Sequence, residues 1–223
     1  AEIGPAFGAV DLMDKTYDTL ETASAGVGYW CMLGWGATGW GENGIPLGPC
    51  AFNRMLMNSI GVNNVNLVDL YGILQGVRIR DVGEPDGKVY RIWISRDEYY
   101  LIEYRNNEGN LFYDSYLPQS GLLIWHINER ESNSTEESKL CDLECPDGRY
   151  KDAGYPLGKF PDPFNGRDNL DFWAHDYSYS LAHVGNRGDA GDMYDGVTYT
   201  SFGTRTNPSS NSNRLNISTG IEI

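Results

Sequence analysis

Two apolar segments of the chain, residues 98–105 and 121–127, constrain its fold most strongly. They read EYYLIEYR and GLLIWHI, they are rich in aromatic and β-branched side chains, and Gly, Pro, Asn and Asp separate them. Short runs of this composition between turn residues are typical of β-strands. Similar runs occur earlier in the chain, as VNLVDL, GVRIRDV and KVYRIWIS. The sequence therefore predicts a β-rich region from about residue 65 onward.

The flanking parts of the chain have a different character. Residues 26–50 are dense in Gly and Trp, which indicates tight loops packed by aromatic rings. Residues 51–61, AFNRMLMNSIG, carry apolar side chains at helical spacing and end in Gly, which predicts a helix. After residue 129 the chain becomes polar and rich in Tyr, Gly and Asn, which predicts a long, loop-rich tail. We therefore expect an α+β fold of two units, residues 1–64 and 65–223, packed together.

Charge and cysteine usage indicate where the chain works. The formal net charge of −14 argues against a nucleic-acid or anionic-membrane partner, and no run of about eighteen apolar residues predicts a membrane span. An even number of cysteines without a C-x-x-C motif favours bridges over a zinc site, although reduced core thiols are the alternative. The pairings closest in sequence are Cys31–Cys50 and Cys141–Cys145. With glycosylation sequons at Asn133 and Asn216, these features favour an extracellular or cell-surface protein.

The opening segment, AEIGPAFGAVD, is a degenerate zinc-peptidase motif. With His at positions 1 and 5 it would read H-E-x-G-H-A-x-G-x-x-D, in which two imidazoles one helical turn apart bind one metal ion. Glu2 and Asp11 stand where the general base and a third ligand would lie, but Ala1 and Pro5 occupy both imidazole positions. The segment predicts the end of a helix, provided that Pro5 lies in its first turn.

Several longer stretches resemble the immune inhibitor A family of secreted metallopeptidases. Residues 98–128, EYYLIEYRNNEGNLFYDSYLPQSGLLIWHIN, resemble the family's strand pair. Residues 26–36, GVGYWCMLGWG, are similar to its Met-containing turn, with Met32 as the Met beneath the metal or its near neighbour. NRGDAGDMYDG and TSFGTRTNPSS, within residues 186–210, are similar to its closing segment. The resemblance implies that residues 1–64 are the C-terminal part of a zincin-like catalytic domain, followed by a mostly antiparallel β region.

The resemblance also implies what has been lost. Zinc catalysis requires three protein ligands and an activated water, and neither Ala1 nor Pro5 can bind a metal ion. We therefore expect no zinc and no catalysis, with Glu2, Asp11 and Met32 as scaffold. His126 lies in an alternating apolar strand, where a hydrogen-bonded core residue is expected rather than a ligand.

Calcium is the cofactor for which the sequence offers oxygen ligands. Asp189, Asp192 and Asp195 are spaced by three residues in a Gly-rich stretch, and the family is implied to bind calcium around such acidic loops. A second acidic set of this kind is Asp142, Asp147 and Asp152. A solvated acidic loop without an ion is the alternative interpretation.

The interpretation that we favour is a non-catalytic extracellular protein that acts through protein–protein contact, structural or self-assembling. In zincin-type folds a sheet precedes the metal helix, so apolar surfaces of this helix and its neighbouring strands need a cover. The expected covers are further copies of the chain, as a homo-oligomer or filament, or an upstream fragment of the same precursor. Two alternatives remain: the C-terminal part of a secreted zinc endopeptidase, and a carbohydrate- or peptide-binding module that uses exposed Trp and Tyr.

Overall fold

A five-stranded mixed sheet organises the part of the chain that the computed structural model describes, namely residues 4–13, 26–109, 111–133, 139–147, 187–206, 208–212, 215 and 217–223. Within these residues the elements are α1 (Ala51–Leu56), β1 (Leu67–Asp69), β2 (Val89–Trp93), β3 (Glu98–Arg105), β4 (Gly121–Asn128) and β5 (Cys141–Leu143). The strands lie side by side in the order β1-β2-β3-β4-β5. β1 is parallel to β2, and the other neighbours are antiparallel. The described residues therefore form the α+β fold that the sequence predicts.

The central strands β3 and β4 give the sheet two different faces. Their register pairs Leu101 with Trp125 and Tyr100 with His126, and successive side chains of a strand point to opposite sides. Leu101 and Trp125 lie on the side that packs against α1, which we call the helix face. Tyr100 lies on the other side, which packs against residues 194–202 and which we call the tail face. The main core cluster lies on the helix face and contains residues from both units expected from the sequence.

Residues 26–50 form short 3-10 turns packed by tryptophans, as predicted. The turns are Gly28–Trp30, Trp35–Thr38 and Trp40–Glu42. The buried ring of Trp30 meets the ring of Trp40 edge to face, with centroids 4.8 Å apart. Gly28 is required here, because its φ is +55° and a Cβ atom would collide with the backbone of Arg187. The Tyr29 amide donates to the Arg187 carbonyl at 2.7 Å, so the tail is tied directly to these turns.

The strand predictions hold in β2, β3 and β4. One predicted strand, one predicted loop and the length of the helix differ from the structure. Residues 76–82, GVRIRDV, form no strand, and only Asp81 makes an isolated bridge, with Tyr104. The chain turns there because Asp81 Oδ1 accepts from the amide of Gly83 at 2.8 Å. β5 lies in the region for which the sequence predicts only loops. Helix α1 is also shorter than the predicted 51–61, since it ends at Leu56 and turns follow.

Candidate functional site

The described part of the opening motif does not form an α-helix. Gly4–Phe7 is a single 3-10 turn, and Pro5 is exposed on it. Beyond the turn, the Val10 amide donates to Asn53 Oδ1 at 2.8 Å, and Asn53 Nδ2 returns a bond to the Val10 carbonyl at 3.0 Å. The helix end expected at 4–13 is therefore replaced by a short turn tied to α1. Ala1 and Glu2 lie outside the described residues.

The segment that contains Asp11 lies beside the Met32 turn. The Leu12 amide donates to the Leu33 carbonyl at 2.7 Å, and the Met32 amide donates to the Gly48 carbonyl at 3.3 Å. Asp11 and Met32 are both half-buried, and Met32 packs against the main core cluster. Pro5, at the second imidazole position, offers no ligand atom to this region. The arrangement therefore supports a packing role for these residues.

Three carboxylates converge between the tail and the end of the β5 segment. Ligand oxygens of Asp147, Asp189 and Asp192 lie within 4.8 Å of one another. Asp189 and Asp192 close a reciprocal capping box around the Ala190–Asp192 turn, in which the Asp189 amide donates to Asp192 Oδ2 at 2.8 Å. Asp147 comes from the second acidic set of the sequence analysis, so the fold combines one set with part of the other.

Asp192 is the unusual member of this acidic cluster. Its side chain is fully buried, and Oδ2 also accepts from Trp30 Nε1 at 2.8 Å. Its other oxygen, Oδ1, is buried and has no hydrogen-bond partner among the described residues. Burial raises the pKa of Asp192 well above its ordinary value, the Trp30 bond opposes this, and the charge of Asp147 adds to it. A buried carboxylate oxygen without a donor is costly, and a bound cation would remove that cost.

The other acidic residues of the sequence prediction lie apart from this cluster. Asp195 uses Oδ1 to accept from the amides of Val197, Thr198 and Tyr199 at 2.8–2.9 Å, so it caps its own loop. Asp142 forms an ion pair with Lys139 at 3.3 Å. Asp152 lies outside the described residues. The three-residue spacing of aspartates in the sequence therefore did not identify the carboxylates that converge in the fold.

All four cysteines are buried thiols, and neither bridge expected from the sequence is formed in the structure. The thiol of Cys50 interacts with those of Cys31 and Cys141, and burial raises the pKa of all three. Cys50 thus lies next to Cys31, with which the sequence predicts a bridge, and next to Cys141. Cys145 is also a buried thiol, and its amide donates to the Leu143 carbonyl at 3.0 Å.

The first sequon is not presented to solvent. Asn133 is buried, its Nδ2 donates to the Cys141 carbonyl at 2.9 Å, and its Oδ1 accepts from the Cys141 amide at 2.9 Å. A glycan on Nδ2 would have to replace that first bond, so in this fold Asn133 works as a structural link to β5. Asn216 lies outside the described residues.

The central strands carry buried polar side chains whose partners the sequence does not reveal. On the helix face, Glu103 Oε1 accepts from the Ala51 amide at the start of α1, at 3.2 Å, and from Trp125 Nε1 at 2.9 Å. Arg105 forms a buried ion pair with Asp114. The only signal for these buried contacts in the sequence is a charged residue inside an otherwise apolar strand.

The tail face carries a second buried polar group. His126 contacts Glu144 through Nδ1 at 3.0 Å and Glu98 through Nε2 at 2.9 Å. Ser212, from the tail, donates to Glu98 at 2.7 Å. The prediction that His126 is a hydrogen-bonded core residue is confirmed.

Exposed apolar side chains lie along the chain on both sides of β1. We call this patch the 62–77 surface, and its members are Val62, Val65, Tyr71, Ile73, Leu74 and Val77. Ile73 is 93% exposed and Tyr71 is 71% exposed. β1 is an outer strand of the described sheet, with β2 as its one neighbour there. Apolar side chains next to an outer strand are typical of interaction surfaces.

Comparison of the chain with protein-family models, with curated proteins and with solved structures gives no significant match. Among the described residues, no helix is long and apolar enough to cross a membrane.

Proposed function

We propose that this chain is a non-catalytic extracellular protein on a metallopeptidase-derived, zincin-like scaffold, and that it acts through contact with another protein chain. The 62–77 surface is the observation that carries the proposal. Burying a Val, Leu or Ile side chain of this kind contributes about 1.5–3 kcal/mol, so several together support a stable interface. The extracellular location rests on the sequence features alone.

The opening motif supports the non-catalytic part of this proposal. Pro5 stands at one imidazole position and lies exposed on a 3-10 turn, where it has no metal-binding atom. The amides of Leu12, next to Asp11, and of Met32 donate to the backbone carbonyls of Leu33 and Gly48, which explains why a scaffold would keep such residues after catalysis is lost.

The partner that we propose is a second copy of the chain. The outer strand β1 offers backbone groups on its free side, and the 62–77 surface adjoins it, so two copies can pair edge to edge or head to tail. Closed pairing gives a dimer, whereas a head-to-tail contact that does not close gives a filament. An upstream fragment of the same precursor would use the same surface.

Light scattering after size exclusion tests this proposal. The chain has a mass of 24.9 kDa, and we expect a larger mass that falls on dilution. The variant Ile73→Ser should shift the assembly toward the monomer. The matched control is Val197→Ser, because Val197 is 85% exposed but lies outside the 62–77 surface. A monomer mass at every concentration, or an equal effect of the two variants, would contradict self-assembly through this surface.

We also propose a structural calcium ion at Asp147, Asp189 and Asp192. The observation that favours it is the buried, unpartnered Oδ1 of Asp192 next to two further carboxylates. Carboxylate oxygens are the ligands that calcium prefers, and carbonyls and waters complete its shell. Such an ion would tie the tail to the segment after β5.

Thermal unfolding of chelator-treated protein tests the calcium site. At about 5 mM calcium, above the dissociation constants of about 10⁻⁴–10⁻³ M usual for extracellular sites, we expect a stabilisation of about 1–2 kcal/mol. Asp192→Asn should abolish the response, since the amide keeps a carbonyl oxygen for Trp30 but removes the charge. Asp195→Asn should retain it, because Asp195 lies apart from the cluster. A response that is absent, or that both variants abolish, would refute the site.

A further inference from the structure

A small cavity on the tail face lies outside the surfaces discussed so far. It has a volume of about 250 Å³ and opens where residues 194–202 cross the ends of β3 and β4. Its sheet side is formed by Tyr104, Leu122 and Ile124, and its loop side by Tyr194, Tyr199 and Phe202. Asp195 stands among these aromatic and aliphatic side chains as the only carboxylate side chain of the described lining, which contains no Lys, Arg or His.

Backbone bonds hold the loop side of the cavity in place. Leu122 and Tyr194 exchange two hydrogen bonds of 3.0 Å, which fasten the loop to the start of β4. The Gly196 amide donates to the Tyr199 carbonyl at 3.1 Å, and the Phe202 amide donates to the Ile223 carbonyl at 2.9 Å. A cavity fixed in this way needs little ordering when a ligand enters.

The aromatic floor of the cavity is equally fixed. Phe202 is buried, and its ring stands edge-on to Tyr100 at 5.2 Å and to Tyr194 at 6.0 Å between centroids. Tyr104 and Tyr199 are half-buried, so they stand between the floor and solvent. Aromatic rings around a partly closed space are the surroundings that organic cations prefer.

Asp195 supplies the complementary charge. Three amide donors hold the pKa of Asp195 at about 2, so its carboxylate is ionised at neutral pH. All three of these bonds end on Oδ1. Oδ2 takes part in none of these three bonds, although the Thr198 side chain also bonds to the carboxylate, so Oδ2 is the oxygen that we assign to a ligand at the rim. A single fixed anion above aromatic rings fits a cation on an apolar stem better than it fits a neutral sugar, which needs several paired donors and acceptors.

From this arrangement we infer that the cavity binds an alkylammonium or guanidinium group, either of a small amine or of a lysine or arginine side chain. The ammonium would lie against Asp195 Oδ2, and its stem would lie between Tyr104 and Tyr199. The volume equals that of about eight liquid waters at about 30 Å³ each, which suits a group of this size. The inference does not depend on self-assembly through the 62–77 surface, which lies elsewhere on the chain.

Binding of n-butylammonium chloride to the isotope-labelled chain, followed by amide chemical shifts in NMR, tests the inference. We expect saturable shifts confined to the lining and its neighbours, namely residues 104, 120–124, 194–202 and 223. The neutral analogue 1-butanol should bind at least tenfold more weakly. Raising the salt concentration should weaken the ammonium complex severalfold, because the carboxylate is at the solvent-exposed rim.

The decisive variant is Asp195→Asn. Its amide oxygen can still accept from the three loop amides, so the loop is preserved while the charge is removed. We expect butylammonium binding to weaken at least tenfold, whereas Glu108→Gln, an exposed carboxylate outside the cavity, should leave binding unchanged. Tyr199→Leu should weaken binding too, since it removes a ring and keeps an apolar wall.

Further probes distinguish a free amine from a protein side chain as the source of the cation. Several results would overturn the inference. If N-acetyl-lysine methylamide binds as well as butylammonium, the cavity accepts a protein side chain; if it does not bind, the site takes free amines. Equal binding of 1-butanol, tighter binding of methyl glucoside, shifts mainly outside the lining and its neighbours, or an unchanged affinity of Asp195→Asn would each refute a cation site.

Discussion

Replacing His126 with Gln tests the buried polar group on the tail face. His126 lies between Glu98 and Glu144, and Tyr100 stacks on it with centroids 4.6 Å apart. All of these groups are buried. The substitution removes the imidazolium and leaves two carboxylates without their shared cation. Breaking a buried ion pair in this way costs about 3–5 kcal/mol of unfolding free energy.

The shifted pKa of His126 decides whether its contribution to stability rises or falls with pH. Burial alone would lower the pKa of His126, but the hydrogen bonds with Glu144 and Glu98 outweigh it and raise the pKa to about 9, from an ordinary value of 6.5. A raised pKa means that the folded state binds the proton more tightly. The contribution is therefore complete below pH 6.5 and is lost as the pH rises through 9. At 1.36 kcal/mol per pH unit it amounts to about 3.4 kcal/mol.

The contribution of Glu144 to stability changes over a second, lower range of pH. Burial raises the pKa of Glu144 to about 7 although His126 lowers it, and nearby Asp142 raises it while Lys139 lowers it. Its contribution to stability is also present at low pH and lost as the pH rises from about 4.5 to about 7. Both ranges place the full contribution at low pH, so the loss caused by His126→Gln should be largest at pH 5 and should fall as the pH rises through 9.

Urea unfolding at pH 5, 7.5 and 9.5 and at constant ionic strength measures the effect. We expect a loss of about 3–5 kcal/mol at pH 5, a smaller loss at pH 7.5 and the smallest loss at pH 9.5. The control is Arg130→Gln, which removes an ion pair with Asp97 in which the Arg130 side chain is 57% exposed and which should contribute less than about 1 kcal/mol. A loss below 1 kcal/mol at pH 5, or a loss that is the same at all three values, would refute the reasoning.

Three further predictions follow from the opening motif, the helix face and the cysteines. Elemental analysis should find no stoichiometric zinc and casein should not be cleaved; about one zinc per chain with chelator-sensitive cleavage would overturn this. Asp114→Asn should cost about 3–5 kcal/mol in urea unfolding because Arg105 loses its buried counter-charge, whereas the exposed Asp86→Asn should cost less than 1 kcal/mol. In the oxidised chain, peptide mapping should link Cys31 to Cys50; four free thiols in denaturant without reductant would contradict this.

The elements that the sequence predicts well are those whose pattern is local. β3 and β4 are found at 98–105 and 121–128 because runs of eight residues rich in apolar and aromatic side chains, bounded by turn residues, fix their length, and both strands are buried almost throughout. β5 is only three residues long, and its pairing with β4 depends on contacts far along the chain. Residues 76–82 have an alternating pattern, but the Asp81 turn and the exposure of Val77 keep them out of the sheet.

The candidate sites were harder to predict, because convergence depends on the fold. Asp147 reaches Asp189 and Asp192 from a distant part of the chain, and no spacing rule could select it. Asp195, only three residues from Asp192, turns its carboxylate to its own loop and lines a cavity instead. Spacing therefore identified the residue type that a calcium site needs, but not the set of residues that the fold brings together.

The buried polar residues of β3 and β4 explain why the strand pair could persist without catalysis. Glu103 holds the first turn of α1, and Arg105 donates to the Trp30 carbonyl at 3.1 Å in the Trp-rich turns. Glu98 holds Ser212 of the tail, and His126 holds Glu144 just beyond β5. Each side chain thus fixes a different layer against the sheet, and each would be costly to leave unpaired. Selection for folding alone would keep them, so a resemblance carried by residues 98–128 does not by itself indicate peptidase activity.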